Sequence, residues 1–140
     1  MNNALIVVDV QKDFVEGGSL AVDGGLRLAR KIAEQLPDWK EEFTYVVATK
    51  DWHIDPGGHW SDDPDFVSSW PVHCRAGSDG ADYAGHLLSD EDFDSVFKKG
   101  EYEAAYSGFE GKNEDGILLG DWLTEREVGQ VTVIGIAYDY

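Results

Sequence analysis

Four side chains able to ligate a metal fall within residues 51–73: Asp51 and His53 on either side of Trp52, His59 after Ile54-Asp55-Pro56-Gly57-Gly58, and His73. Of the four histidines in the chain, only His86 lies outside that window. In an extended segment an aspartate and a histidine two positions apart point to the same side, and a Pro-Gly-Gly turn is able to fold His59 back beside them. Three imidazoles and a carboxylate suit zinc, iron or manganese, whereas calcium and magnesium prefer all-oxygen shells. The competing reading is that loop histidines and aspartates cap turns. Two further charged residues close strand-like runs: Asp9 after Ala4-Leu5-Ile6-Val7-Val8, and Lys99 after Ser95-Val96-Phe97-Lys98. A carboxylate buried at a strand end needs a partner, and a lysine at a neighbouring strand end supplies one, as a structural ion pair or as part of a catalytic site. Neither is an obvious nucleophile. The missing group could be a metal-bound water or a thiol. Cys74, the chain's sole cysteine, adjoins His73 but sits in a long loop, and reads better as structural than as nucleophilic.

The elements that must position these groups follow from periodicity. Residues 4–9 form a β-branched run of the kind buried on both faces, read as a first parallel strand. Leu26, Leu28, Ala29, Ile32, Ala33 and Leu36 recur at helical spacing and predict a helix of about three turns ending at Pro37. Residues 43–49 repeat the strand pattern and run straight into Asp51. Residues 51–90 hold many Gly, Pro, Asp and Ser but also Trp52, Trp60 and Trp70, which predicts an ordered functional loop. Residues 95–98 read as a third strand, 121–127 as a helix and 130–136 as a fourth strand. Alternating strands and helices imply a mainly parallel open sheet, and such sheets bind ligands beyond the carboxyl ends of their strands. Those ends carry Asp9, then Asp51 and His53, then Lys99, then Ala137-Tyr138-Asp139-Tyr140. Tyr140 closes the sequence where strand four should turn into a helix, the place at which α/β enzymes often mount a nucleophile. The expectation is an N-terminal portion of a longer polypeptide.

With 140 residues and 42% hydrophobic content the chain is sized for one domain with a real core. Its net charge of −17 would repel a phosphate backbone, so nucleic acid is not an expected partner. That charge reads as a solvated acidic surface or as adaptation to high salt. No apolar run approaches a membrane span and no export signal heads the chain, so a soluble protein without a membrane partner is expected. A single cysteine excludes an internal disulfide and fits a reducing, cytoplasmic location. Homo-oligomerisation is left open.

Taken together, these residues resemble the isochorismatase-like cysteine hydrolases, specifically their nicotinamidase/pyrazinamidase branch, from end to end. The resemblance is carried by residues 8–14, Gly17-Gly18-Ser19-Leu20, residues 49–59, and Trp70-Pro71-Val72-His73-Cys74. It continues through Gly80-Ala81-Asp82, Lys99-Gly100, residues 106–111 and residues 135–140. It implies a single domain over residues 1–140, a Rossmann-like three-layer α/β/α fold lacking its last strand and helices. It implies hydrolysis of a small-molecule amide, nicotinamide or pyrazinamide, with one divalent metal ion as cofactor. By the resemblance Asp9 matches the catalytic aspartate and Lys99 the lysine. Asp51, His53, His59 and His73 match the metal ligands, and Phe14, Trp70 and Tyr106 the walls of the amide pocket. Ile136 and Ala137 match the substrate-binding pair, usually joined by a cis peptide, and the Ala137 N–H belongs to the oxyanion hole. The nucleophilic cysteine of the family directly follows the position of Tyr140. The position of Tyr138, commonly threonine, departs from the pattern. Other readings remain: a hydrolase using metal-bound water, a sister isochorismatase or carbamoyl amidase, though those generally lack this metal set, or a non-catalytic metal-binding protein.

Overall fold

The computed structural model describes residues 2–67, 69–84, 88–102 and 108–136. Four parallel strands, β1 (Asn2–Val8), β2 (Tyr45–Asp51), β3 (Ser95–Lys99) and β4 (Val128–Gly135), form one sheet in the order β3-β2-β1-β4. Two helices, α1 (Gly25–Glu42) and α2 (Leu119–Glu125), pack on its opposite faces.

The apolar run of β1 is buried on both sides because alternate residues feed different cores. Leu5 and Val7 join Val46 and Ala48 of β2 against Ala29, Ile32 and Leu36 of α1. Ala4 and Ile6 join Val47 and Phe97 against Leu119, Trp122 and Leu123 of α2. Each fully buried aliphatic or aromatic side chain is worth roughly 1.5–3 kcal/mol, so these two layers hold the sheet between the helices. The expected α/β/α arrangement is therefore present.

The helix expected to stop at Pro37 does not stop there: α1 has 18 residues and carries Pro37 inside it. A proline in a helix interior removes one hydrogen bond at a cost of about 3 kcal/mol, but its own φ is helical. Beyond it the Phe43 N–H still donates to Trp39 O, and Trp39 and Phe43 both pack against the α1-side core. Tertiary packing thus carries the helix past its sequence stop signal. Residues 52–94 contain no strand and no helix longer than a 3-10 turn among the described residues, as expected of the long loop. Isolated bridges hold that loop down, pairing Gln11 with Tyr83, His53 with Arg75 and Trp60 with Trp70.

The chain runs outward from β1 through β2 to β3, then returns to the other side of β1 as β4. The strand order therefore reverses at β1, where ligand crevices of open α/β sheets form. Gly135 makes the close approach there: its φ is +144, and a Cβ on it would sit 2.2 Å from Val8 O.

Candidate active site

Register decides which strand-end side chains meet. β2 pairs with β3 so that Asp51 stands beside Lys99, and β1 pairs with β2 as far as Val8 beside Thr49. Just past that rung Asp9 takes a left-handed φ of 51, a conformation that costs a non-glycine residue of order 1–3 kcal/mol and clusters at functional sites. The turn brings the Asp9 carboxylate onto the tips of β2 and β3. Its Oδ2 receives Lys99 Nζ at 2.7 Å and its Oδ1 the Thr49 hydroxyl at 2.8 Å. Lys99 Nζ also donates to Asp51 Oδ1. Both carboxylates and the ammonium are almost wholly shielded from water.

One buried cation therefore serves two buried anions. Burial would lower the Lys99 pKa, but Asp9 and Asp51 outweigh it and hold the ammonium above its ordinary range. Burial pushes Asp51 up, yet its neighbours, Lys99 foremost, hold it well below the usual carboxylate range. For Asp9 burial wins: the carboxyl lies above its ordinary value despite the pull of Lys99. The two aspartates on one lysine are thus pushed apart, the pattern that separates a proton-accepting carboxyl from a permanently charged one.

The other oxygen of Asp51 faces the histidines. Oδ2 lies 3.5 Å from His53 Nε2 and 3.7 Å from His73 Nε2, and His73 Nε2 lies 3.4 Å from His59 Nε2. All three rings are buried, and their ligand atoms lie within 4.8 Å of one another. The tautomers follow from what holds the rings. His53 Nδ1 is 2.6 Å from Gly100 O and His73 Nδ1 is 2.8 Å from Pro71 O, and a carbonyl can only accept. Both Nδ1 atoms must carry the proton, which leaves each Nε2 a lone pair aimed at the cluster. Burial, then the neighbouring His53 and His73, drops the His59 pKa to about 4, so its ring is neutral at physiological pH.

The aromatic candidates lie around this cluster. Phe14 is buried with its ring 5.7 Å from that of His73. Trp70 is buried, its main-chain N–H donates to His59 O at 2.7 Å, and its ring meets Phe66. Ile136 is buried and donates its N–H to Val8 O at 2.9 Å, next to Asp9. Tyr106, Ala137, Tyr138 and Tyr140 lie outside the described residues, and with them the Ile136-Ala137 bond.

Comparison with known proteins gives the family. The isochorismatase domain family matches residues 3–140. The nicotinamidase/pyrazinamidase of Mycobacterium tuberculosis is 54% identical over 137 residues, covering 98% of this chain and 73% of that protein. The chain belongs to the isochorismatase family. Among solved structures, the pyrazinamidase of Pyrococcus horikoshii in complex with zinc superposes with a TM-score of 0.76 at 36% identity. That match covers 98% of this chain and 72% of the other. PnC1 from L. infantum in complex with nicotinate gives a TM-score of 0.74 at 34% identity, covering 99% and 68%.

In this isochorismatase-family chain the donor set fits a metal on its own chemistry. His53 Nε2 is fully buried and has no hydrogen-bond partner, a costly state for a polar atom unless something else binds it. Rings steered by backbone carbonyls through Nδ1 are also the usual support of metal-ligating histidines. His53, His59 and His73 are thus able to hold a metal ion, with Asp51 Oδ2 beside two of them. Cys74, by contrast, is buried, and burial followed by the charges of Asp51 and Asp9 pushes its thiol well above the ordinary range. Its N–H donates to Asp13 Oδ2 at 2.7 Å and its carbonyl accepts from the His53 N–H. It is a structural residue of the loop.

Sequence reasoning assigned no role to Thr49, Gln11 or Asp13. The signal was weak: Asp9, Gln11 and Asp13 recur at every second position immediately after a strand, but Lys12 between the last two is charged as well. Asp13 also needs Gly80, where a Cβ would come within 2.2 Å of its carboxylate.

Proposed function

We propose that this protein is a nicotinamidase that hydrolyses nicotinamide to nicotinate and ammonia, and pyrazinamide as an analogue. The observation that carries the reading is the junction of Asp9, Lys99 and Asp51 beside three inward-facing imidazoles, in a chain of this family. Amide hydrolysis needs an activated nucleophile, a stabilised oxyanion and a proton for the departing nitrogen. The resemblance supplies the nucleophile as a cysteine directly following the position of Tyr140, and the single domain of residues 1–140 would be continued by a further strand and helices.

In this mechanism Asp9 takes the thiol proton, for which its upward-shifted carboxyl is suited. The thiolate attacks the carboxamide carbon, the carbon–nitrogen bond breaks, and Asp9 returns the proton to the nitrogen, which leaves as ammonia. Water then hydrolyses the thioester to nicotinate and restores the thiol. Lys99 holds Asp9 in place and favours the thiolate. Ala137 contributes its N–H to the oxyanion, Phe14 and Trp70 flank the aromatic ring, and Tyr106 and Ile136 complete the pocket. Asp51, His53, His59 and His73 would hold the metal: zinc, iron or manganese, with zinc favoured by the nitrogen-rich donor set. When bound, that ion supplies a Lewis acid that orients the ring through its pyridine nitrogen.

A cytoplasmic location is in keeping with one free cysteine and no disulfide. Among the described residues no helix is long and apolar enough to cross a membrane. The decisive experiment is ammonia release from nicotinamide by the intact gene product and by Asp9→Ala, with metal content measured in both. Turnover should vanish in the variant while metal stays bound; retained turnover would remove Asp9 from the role of base. Insensitivity of the parent activity to thiol alkylation would transfer the chemistry to metal-bound water.

A further inference from the structure

Where β1 ends, β2 loses a neighbour. The last β1–β2 contact on the main chain is the Asp9 N–H donating to Thr49 O, and the left-handed turn at Asp9 then carries the backbone away. Two residues on, the N–H and C=O of Asp51 face the same vacated side, because peptide groups along a parallel strand alternate between neighbours. Both would be buried without a partner. The side chain of Gln11 takes the place of the absent rung. Its Oε1 accepts from the Asp51 N–H at 2.9 Å and its Nε2 donates to Asp51 O at 2.8 Å. The second Nε2 hydrogen reaches Ala81 O at 2.9 Å. Gln11 is completely buried and both carboxamide atoms are engaged, all on main chain.

Asp51 is the residue on which the two halves of the site meet. One of its oxygens receives Lys99, the partner of Asp9, and the other faces His53 and His73. Both contacts depend on one backbone orientation at the last residue of a strand, a place where strands otherwise fray. We propose that Gln11 is a positioning residue: its carboxamide acts as a surrogate β-rung that fixes the Asp51 carboxylate between the lysine and the metal cage. Gln11 touches neither substrate nor metal in this scheme. The inference rests on the functional reading above.

Its test compares the intact protein with Gln11→Met, which keeps the size and removes all three hydrogen bonds. Gln11→Glu, which keeps the acceptor for the Asp51 N–H and loses the donors when ionised, is the second variant should the first not fold. Zinc affinity is titrated against a chelator, with His53→Ala as a site control, and kcat and KM for ammonia release are measured separately. Loss of support behind a metal ligand is expected to weaken zinc binding by about 10–100-fold and to lower kcat/KM in a protein whose circular dichroism is native. A folded variant that keeps zinc affinity and kcat/KM within about threefold of the parent would overturn the proposal and leave Gln11 a purely structural residue. The two levels of argument fail differently. Equal zinc affinity in the parent and His53→Ala would sink the metal site itself, whereas loss in His53→Ala alone would sink only the role of Gln11.

Discussion

Replacing Lys99 with methionine tests the electrostatic core of the site directly. Lys99 is 2% exposed and its ammonium is held by Asp9 and Asp51, which are each 6% exposed. Methionine approximates the volume and removes the charge, so two buried carboxylates are left facing one another. Removing one member of a buried ion pair costs about 3–5 kcal/mol, and a cation shared by two anions belongs at the upper end. Against a total stability of roughly 5–15 kcal/mol that is a large fraction. At roughly 3–5 °C per kcal/mol for a domain of this size, the thermal midpoint should fall by about 12–25 °C near neutral pH. The pH dependence gives the sharper signature. In Lys99→Met both carboxyls titrate above their unfolded-state values, so their charged forms destabilise the fold at about pH 7 and the deficit shrinks on acidification towards about pH 5. In the parent, Asp51 is held below its ordinary value. Its contribution is present above the ordinary carboxylate range and is lost as pH falls below it. That loss falls below the range assayed, and Asp9 lies above its ordinary value in the parent as well, so a deficit that shrinks between about pH 7 and about pH 5 reports the carboxyl newly raised in the variant. Urea unfolding of both proteins, with chelator present, at about pH 7 and about pH 5 measures the difference. A deficit below about 1 kcal/mol at neutral pH, or one of equal size at both values, would refute the shared-cation account.

Two other outcomes follow from the same structure. Cys74→Ala should cost about 1–2 kcal/mol, because a buried sulfur is removed, while ammonia release per folded molecule stays at the parent level; abolished turnover in a natively folded variant would make Cys74 the nucleophile. A net charge of −17 repels itself across the surface, so the urea midpoint should rise as monovalent salt shortens the screening length from about 10 Å to about 3 Å. A midpoint that falls with salt would show that attractive surface pairs, such as Lys12–Asp79, outweigh the repulsion.

Much of the arrangement was readable from residue order. Runs such as residues 4–8 announce strands buried on both faces, and a charged residue closing such a run announces chemistry at a strand tip. Hence Asp9, Asp51 and Lys99, and the histidines of the following loop, could be singled out by position and type. Pro37 misled because a local stop signal of about 3 kcal/mol was set against packing that only the folded chain supplies.

What the sequence by itself determined is which residues must be buried, which carry charge and on which side of a strand each points, since these depend on periods of two and 3.6 residues. Which strands lie side by side was decided only by tertiary structure. Asp51 meets Lys99 across 48 residues, Thr49 meets Asp9 across 40, and Gln11 completes the backbone of Asp51 across 40. No local pattern encodes such pairings. They arise when crossover connections set strand order and register, and when each buried polar group must find a partner among whatever the fold has brought near.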